Sequence, residues 1–153
     1  MTETNQQGQQ PTAPHRVLIV TDAADPSPSL REAIRHRAET RDAQFRLVVI
    51  NPARAEVHLL HPERHDRALE AEAVLRSALP TLEADAGGTV IGSVSVRHDP
   101  MDAIEETTFD EPVDEVLIDV PTRHLASVLH QDLEHRLAHL QIPVVTIRHP
   151  HEG

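Results

Sequence analysis

Twelve histidines and no cysteine in a chain of 153 residues raise one chemical question first, whether imidazoles gather into a metal site. His135 and His139 are spaced i, i+4 and so share one helical face. Such a pair is half of a zinc-type ligand set, and Glu134 is the neighbouring carboxylate that could join it. His58, His61 and His65 follow an i, i+3, i+7 rhythm, but Pro62 argues against a continuous helix there. Leu133, Leu137 and Leu140 mark the buried stripe of the segment carrying His135 and His139. The two imidazoles lie roughly opposite that stripe, where exposed histidines are ordinary. The expectation is no metal site. Without cysteine, thiol catalysis, disulfides and thiolate zinc sites are excluded.

Nucleophilic and acid–base chemistry fare no better. Ser27, Ser29, Ser77, Ser93, Ser95 and Ser127 lie in no Gly-x-Ser-x-Gly elbow. The carboxylates Asp110, Glu111, Asp114 and Glu115 cluster in sequence, yet their composition reads as a solvated loop rather than a paired acid and base. No catalytic residue is assigned, and the chain is not expected to be an enzyme.

The formal charge is -11 and aromatic residues are 1% of the chain. Every basic residue is an arginine, and the arginines are scattered. A phosphate backbone would be repelled, and no aromatic platform exists for stacked bases, so nucleic acid is not an expected partner. No apolar run approaches the ~18–20 residues that cross a bilayer. Residues 1–14 carry neither a basic nor an apolar signal region, and their Gln, Thr, Pro and Gly content reads as a disordered tail. No membrane is expected, and the cytoplasm is the expected location. The length suits one domain over residues 15–149, with a short tail at 150–153.

The elements that would position any site alternate regularly. Val17–Val20 is a short apolar run, suited to a strand covered on both faces. It ends at Thr21-Asp22 and a polar stretch with Pro26 and Pro28. Leu30, Ala33, Ile34 and Ala38 then recur at helical spacing to about Arg41. Phe45–Ile50 is a second strand, stopped by Asn51-Pro52, and residues 53–62 read as loop. A helical pattern returns from about Glu63 to Ala86. Pro80 lies inside it and predicts a kink or break near Leu79. Gly87-Gly88 ends that helix, and Thr89–Val96 is the third strand. Asp99-Pro100 predicts an N-cap and first position for a short helix, Met101–Thr107. Val116–Ile118 is a fourth strand, Asp132 caps a helix from Leu133 to Leu140, and Val144–Ile147 is a fifth. Alternation of this kind implies right-handed crossovers and an α/β fold: a parallel sheet with helices on both faces.

Three segments give the chain a resemblance to the universal stress protein family, covering about residues 15–149. Val17–Asp22 is similar to the family's first strand, which ends in aspartate. His98-Asp99-Pro100-Met101-Asp102-Ala103-Ile104 resembles its Gly-x-Pro-x-x-x-Ile segment, with His98 in place of glycine. Ile142-Pro143-Val144-Val145-Thr146-Ile147 resembles its Cys-Pro-Val strand. The resemblance implies a three-layer sandwich around a five-stranded sheet ordered 3-2-1-4-5. It also implies a homodimer through the fifth strand, with Val144, Val145, Thr146 and Ile147 at the interface. The alternative is an edge protected by Arg148, His149 and Pro150.

ATP-binding members carry Gly-x2-Gly-x9-Gly-[Ser/Thr] straight after the fourth strand. Glycines there let backbone N–H groups approach phosphate oxygens at a helix N-terminus. Laid on this chain, the four positions fall on Ile118, Pro121, Gln131 and Asp132, and no glycine occurs between Gly92 and Gly153. Pro121 has no N–H to donate. Gln131 places a side chain where backbone should approach. Asp132 sets a carboxylate against phosphate, a like-charge contact costing about 1–4 kcal/mol. Asp119-Val120-Pro121 and Asp132-Leu133 look like a variant of a family subgroup with Ser/Thr-Leu-Pro and Asp-Leu at these places. The expectation is therefore no cofactor and a non-enzymatic module acting through an unidentified protein partner in stress response or regulation. The alternative is a nucleotide- or small-ligand-binding module that keeps part of the pocket, drawn from Asp22, Asp119, Pro121, Arg123 and Asp132. Asp22, which in family members would contact the adenine or ribose, has a plainer reading as the cap of the following turn.

Overall fold

The computed structural model describes residues 13–50, 64–95, 100–119, 138–139 and 141–147. Five strands and three helices alternate within them: β1 (His15–Thr21), α1 (Pro28–Thr40), β2 (Ala43–Val49), α2 (Arg64–Ala86), β3 (Val90–Val94), α3 (Pro100–Asp110), β4 (Glu115–Asp119) and β5 (Val144–Thr146). The sheet order is β3-β2-β1-β4-β5, and all four pairings are parallel. This is the expected three-layer α/β arrangement. The fourth crossover helix expected around Leu133–Leu140 falls almost wholly outside the described residues; Ala138 and His139 are helical.

The period-2 alternation of strand side chains divides the core in two. On one face Val17, Ile19, Leu47 and Leu117 pack against Leu30 and Ile34 of α1 and Ala78 and Leu82 of α2. On the other, Leu18, Val20, Val48, Val116 and Ile118 pack against Met101 and Ile104 of α3. Most of these side chains are fully buried, each contributing roughly 1.5–3 kcal/mol by leaving water. Leu, Ile and Val carry nearly all of it. Of the two phenylalanines, Phe45 is buried and Phe109 is 90% exposed.

Helix ends follow from local chemistry. Ser27 caps α1: its Oγ accepts from the Leu30 N–H at 3.1 Å, with Pro28 in the first turn. At the end of α2, Gly87 adopts φ 74° and both Gly87 and Gly88 donate to the Glu83 carbonyl. A left-handed residue there closes the helix at little cost only when it lacks a Cβ.

Two expectations need correction. Of the kink or break expected near Leu79, the break does not occur: helix α2 runs from Arg64 to Ala86 with Pro80 inside it. Pro80 and Arg76, whose carbonyl loses its donor, are both on the exposed side, so water can satisfy the freed oxygen. Helix α3 also outlasts Thr107 and ends at Asp110. Thr107 and Thr108 direct their hydroxyls to the carbonyls of Ala103 and Ile104, at 2.9 and 2.8 Å. Asp99, the expected cap of α3, lies outside the described residues, as do residues 1–12 and 148–153.

Candidate functional site

In a sheet ordered 3-2-1-4-5 the chain reverses direction between β1 and β4, and ligands of open α/β sheets bind beyond the carboxyl ends of the strands at that point. Thr21 and Asp119 are paired residues at those two ends. Both are buried, Asp119 completely. The Thr21 hydroxyl accepts the Ala23 N–H at 3.2 Å and turns the chain out of β1. Asp22, half-exposed, follows it.

Asp119 faces the α1 side of the sheet. The Ser27 Oγ–H lies 3.2 and 3.3 Å from its two carboxylate oxygens. One hydroxyl therefore accepts from the Leu30 N–H and donates to Asp119. The chain joins the first turn of α1 to the end of β4, two segments separated by 92 positions. A carboxylate beside a helix N-terminus is favoured by the partial positive charge of its N–H groups. The Asp119 carboxylate thus lies against the Ser27 hydroxyl that caps α1.

Of the five residues expected to line a residual pocket, Asp22 and Asp119 are brought to the same end of the sheet. Pro121, Arg123 and Asp132 lie outside the described residues, as does Gln131. Ser27 was missed as a site residue, although Ser-Pro ahead of an apolar helical run is a recognisable helix start.

The far end of the sheet carries an ion-pair cluster. Glu115, expected in a solvated loop, is instead the first residue of β4 and is 9% exposed. Its carboxylate receives the Arg37 guanidinium through Nε at 2.8 Å and through Nη2, and lies 3.0 Å from His15 Nε2. Arg37 also reaches the Ala33 carbonyl. The Arg37 hydrogen bonds hold the Glu115 carboxyl below its usual range, opposed by burial and reinforced by His15. The same pairing raises Arg37. Asp85, buried at the end of α2, accepts from Arg31 at 2.9 Å and from Arg35 at 3.0 Å, tying α2 to α1. These carboxylates are structural anchors.

The remaining candidates are dispersed. Among the described residues no group of three His, Cys, Asp or Glu side chains is placed to hold a metal. His139 is exposed, and His58, His61 and His135 lie outside the described residues. Among the described residues no helix is long and apolar enough to cross a membrane.

Among the described residues, strand β5 lies at one edge of the sheet and is hydrogen-bonded to β4 alone. Val145 and Thr146 are exposed, Val144 is half-buried, and Ile147 is turned inward to the α1–α2 core.

No protein-family model matches this sequence, and no curated protein is significantly similar to it. Solved structures are similar in fold. A universal stress protein from Archaeoglobus fulgidus in complex with dAMP superposes with a TM-score of 0.57 at 16% identity, over 90% of this chain and 100% of that one. Another structure of a universal stress protein from Archaeoglobus fulgidus gives 0.55 at 16%, over 94% and 98%. A universal stress protein family protein from Arabidopsis thaliana with AMP bound gives 0.56 at 19%, over 90% and 93%. With its strand order, its two helical layers and its switch point between β1 and β4, this chain has the fold of the universal stress proteins.

Proposed function

We propose that the protein is a non-enzymatic universal-stress-protein-like module that does not bind ATP in the family manner. It works as a homodimer through protein contacts in stress response or regulation. One observation carries the reading: the fully buried Asp119 carboxylate, held by the cap of α1 at the switch point. An incoming phosphate would face that charge at close range, and its removal would leave the α1 cap short of a partner. The sequence after β4 adds to this, with Pro121 unable to donate and no glycine before Gly153. The edge position of β5 among the described residues, with Val145 39% exposed, supports a two-fold contact of the isologous kind. Light scattering at micromolar protein is expected to give twice the chain mass of 17.0 kDa. A value equal to one chain would end the dimer.

A second reading has its own support. Two solved structures of this fold hold AMP and dAMP. A nucleoside monophosphate needs less of the missing loop than a triphosphate does. On this reading, Asp22 and the Asp119–Arg123 loop retain part of a pocket for a nucleotide or another small ligand. Thermal melts with millimolar ATP, AMP and dAMP separate the two. A ligand at 100 times its Kd stabilises by about 2.7 kcal/mol. The first reading predicts no shift with any of the three, and the second predicts a shift with a monophosphate.

A further inference from the structure

At the amino ends of the strands, far from the switch point, the α3 face of the sheet holds a cavity of about 80 Å³. Arg16, Gln44, Arg46, Ile91, Glu111 and Val113 are among the residues that line it, with Pro112 between the last two, and Gln44, Glu111 and Pro112 are exposed. The sequence leaves this corner wet. On this face β1 and β2 are apolar toward their carboxyl ends, at Leu18, Val20 and Val48, and polar at their amino ends, at Arg16, Gln44 and Arg46. Arg16 and Gln44 are opposite each other across β1 and β2, and Arg46 is opposite Ile91 across β2 and β3. Helix α3 covers the apolar rows and stops short of the polar ones, so Ile91 stays 57% exposed.

The two guanidiniums differ in their partners. Arg46 is fixed across the hollow by an ion pair with Glu111. Arg16 has no carboxylate partner among the described residues. The adjacent Asp114 instead accepts from the Arg16 main-chain N–H at 2.8 Å and donates its own N–H to the Arg16 carbonyl. In a chain with 25 acidic and 14 basic residues, this half-buried cation is left over in a cavity.

We infer that the cavity binds a small monocarboxylate with a short aliphatic tail. The carboxylate takes the Arg16 guanidinium, whose planar fork matches two carboxylate oxygens, and the Gln44 side-chain N–H. The tail lies on Ile91, Pro112 and Val113. A volume equal to that of about three waters admits roughly four to six non-hydrogen atoms, which caps affinity at roughly the micromolar range. Arg16, Arg46, Glu111 and Asp114 together sum to no net charge, so a monoanion is tolerated better here than a dianion. The inference is independent of the nucleotide question at the opposite end of the sheet.

The test is an amide-resolved NMR titration of the full chain with propionate at constant ionic strength, beside propionamide and inorganic phosphate. Saturable shifts are expected at Arg16, Gln44 and Val113 with propionate, with neither control reproducing them. Arg16→Gln should weaken propionate at least tenfold, and Gln44→Glu should abolish the shifts while the far-ultraviolet spectrum stays that of the parent. Arg76→Gln, on the exposed side of α2, should change nothing. Non-saturable shifts, equal binding of phosphate or propionamide, or full affinity in a folded Arg16→Gln variant would each overturn the assignment.

Discussion

Replacing Ser27 by alanine removes two hydrogen bonds with one oxygen. The Leu30 N–H loses its cap acceptor, a loss of about 1 kcal/mol in comparable helices. Asp119, fully buried, loses a hydroxyl donor. Bonds to charged groups contribute about 1.5–3 kcal/mol, but separations of 3.2 and 3.3 Å are long for a hydroxyl donor, so the lower end applies. The expected total is about 2–3 kcal/mol. For a chain of this length that lowers the melting midpoint by roughly 5–10 °C. Urea unfolding of Ser27→Ala, Asp119→Asn and the double variant measures it. The two sites share one bond, so their effects should be sub-additive by about 1 kcal/mol. A Ser27→Ala loss below about 0.5 kcal/mol, or strict additivity with Asp119→Asn, would refute the linkage between α1 and β4.

The Glu115 cluster gives a pH dependence with a definite direction. Its carboxyl is held below the ordinary value of 4.5, first by the Arg37 hydrogen bond. The stabilisation it contributes is complete above pH 4.5 and fades as pH falls through the lower folded-state value. Glu115→Gln should flatten the acid limb of the stability profile. Glu115→Ala, which leaves Arg37 half-buried without its carboxylate, should cost about 2–4 kcal/mol at pH 7. Urea melts from pH 3 to 7 check both, and an unchanged acid limb would discount the cluster. Gly87→Ala should lower stability by about 1 kcal/mol, because φ 74° crowds a Cβ against its own carbonyl; thermal unfolding would show it.

The strands were the most legible part of the fold. Short apolar runs at Val17–Val20, Phe45–Ile50 and Val116–Ile118 fall within or beside β1, β2 and β4, because strands covered on both faces need no polar alternation. Pro80 does not break α2, because its cost depends on whether the orphaned carbonyl meets water, which is a property of the packed helix and not of the residue. Glu115 misled for the opposite reason. Four nearby acidic residues suggest solvent, but strand geometry turned Glu115 toward Arg37, 78 positions away. The same distance problem hid the centre of the candidate site. Asp119 stood in the expected loop, yet nothing near it in sequence announces Ser27. Arg16 gave no signal at all, since its character lies in the partner it lacks and in the cavity around it.

On the proposed reading, the Asp119 carboxylate occupies the crevice at the switch point. Isothermal titration of the full chain with ATP and magnesium, run beside AMP, tests it most directly. No heat of binding is expected for ATP up to millimolar concentration. Saturable one-to-one binding of ATP, weakened by Asp22→Ala, would contradict it.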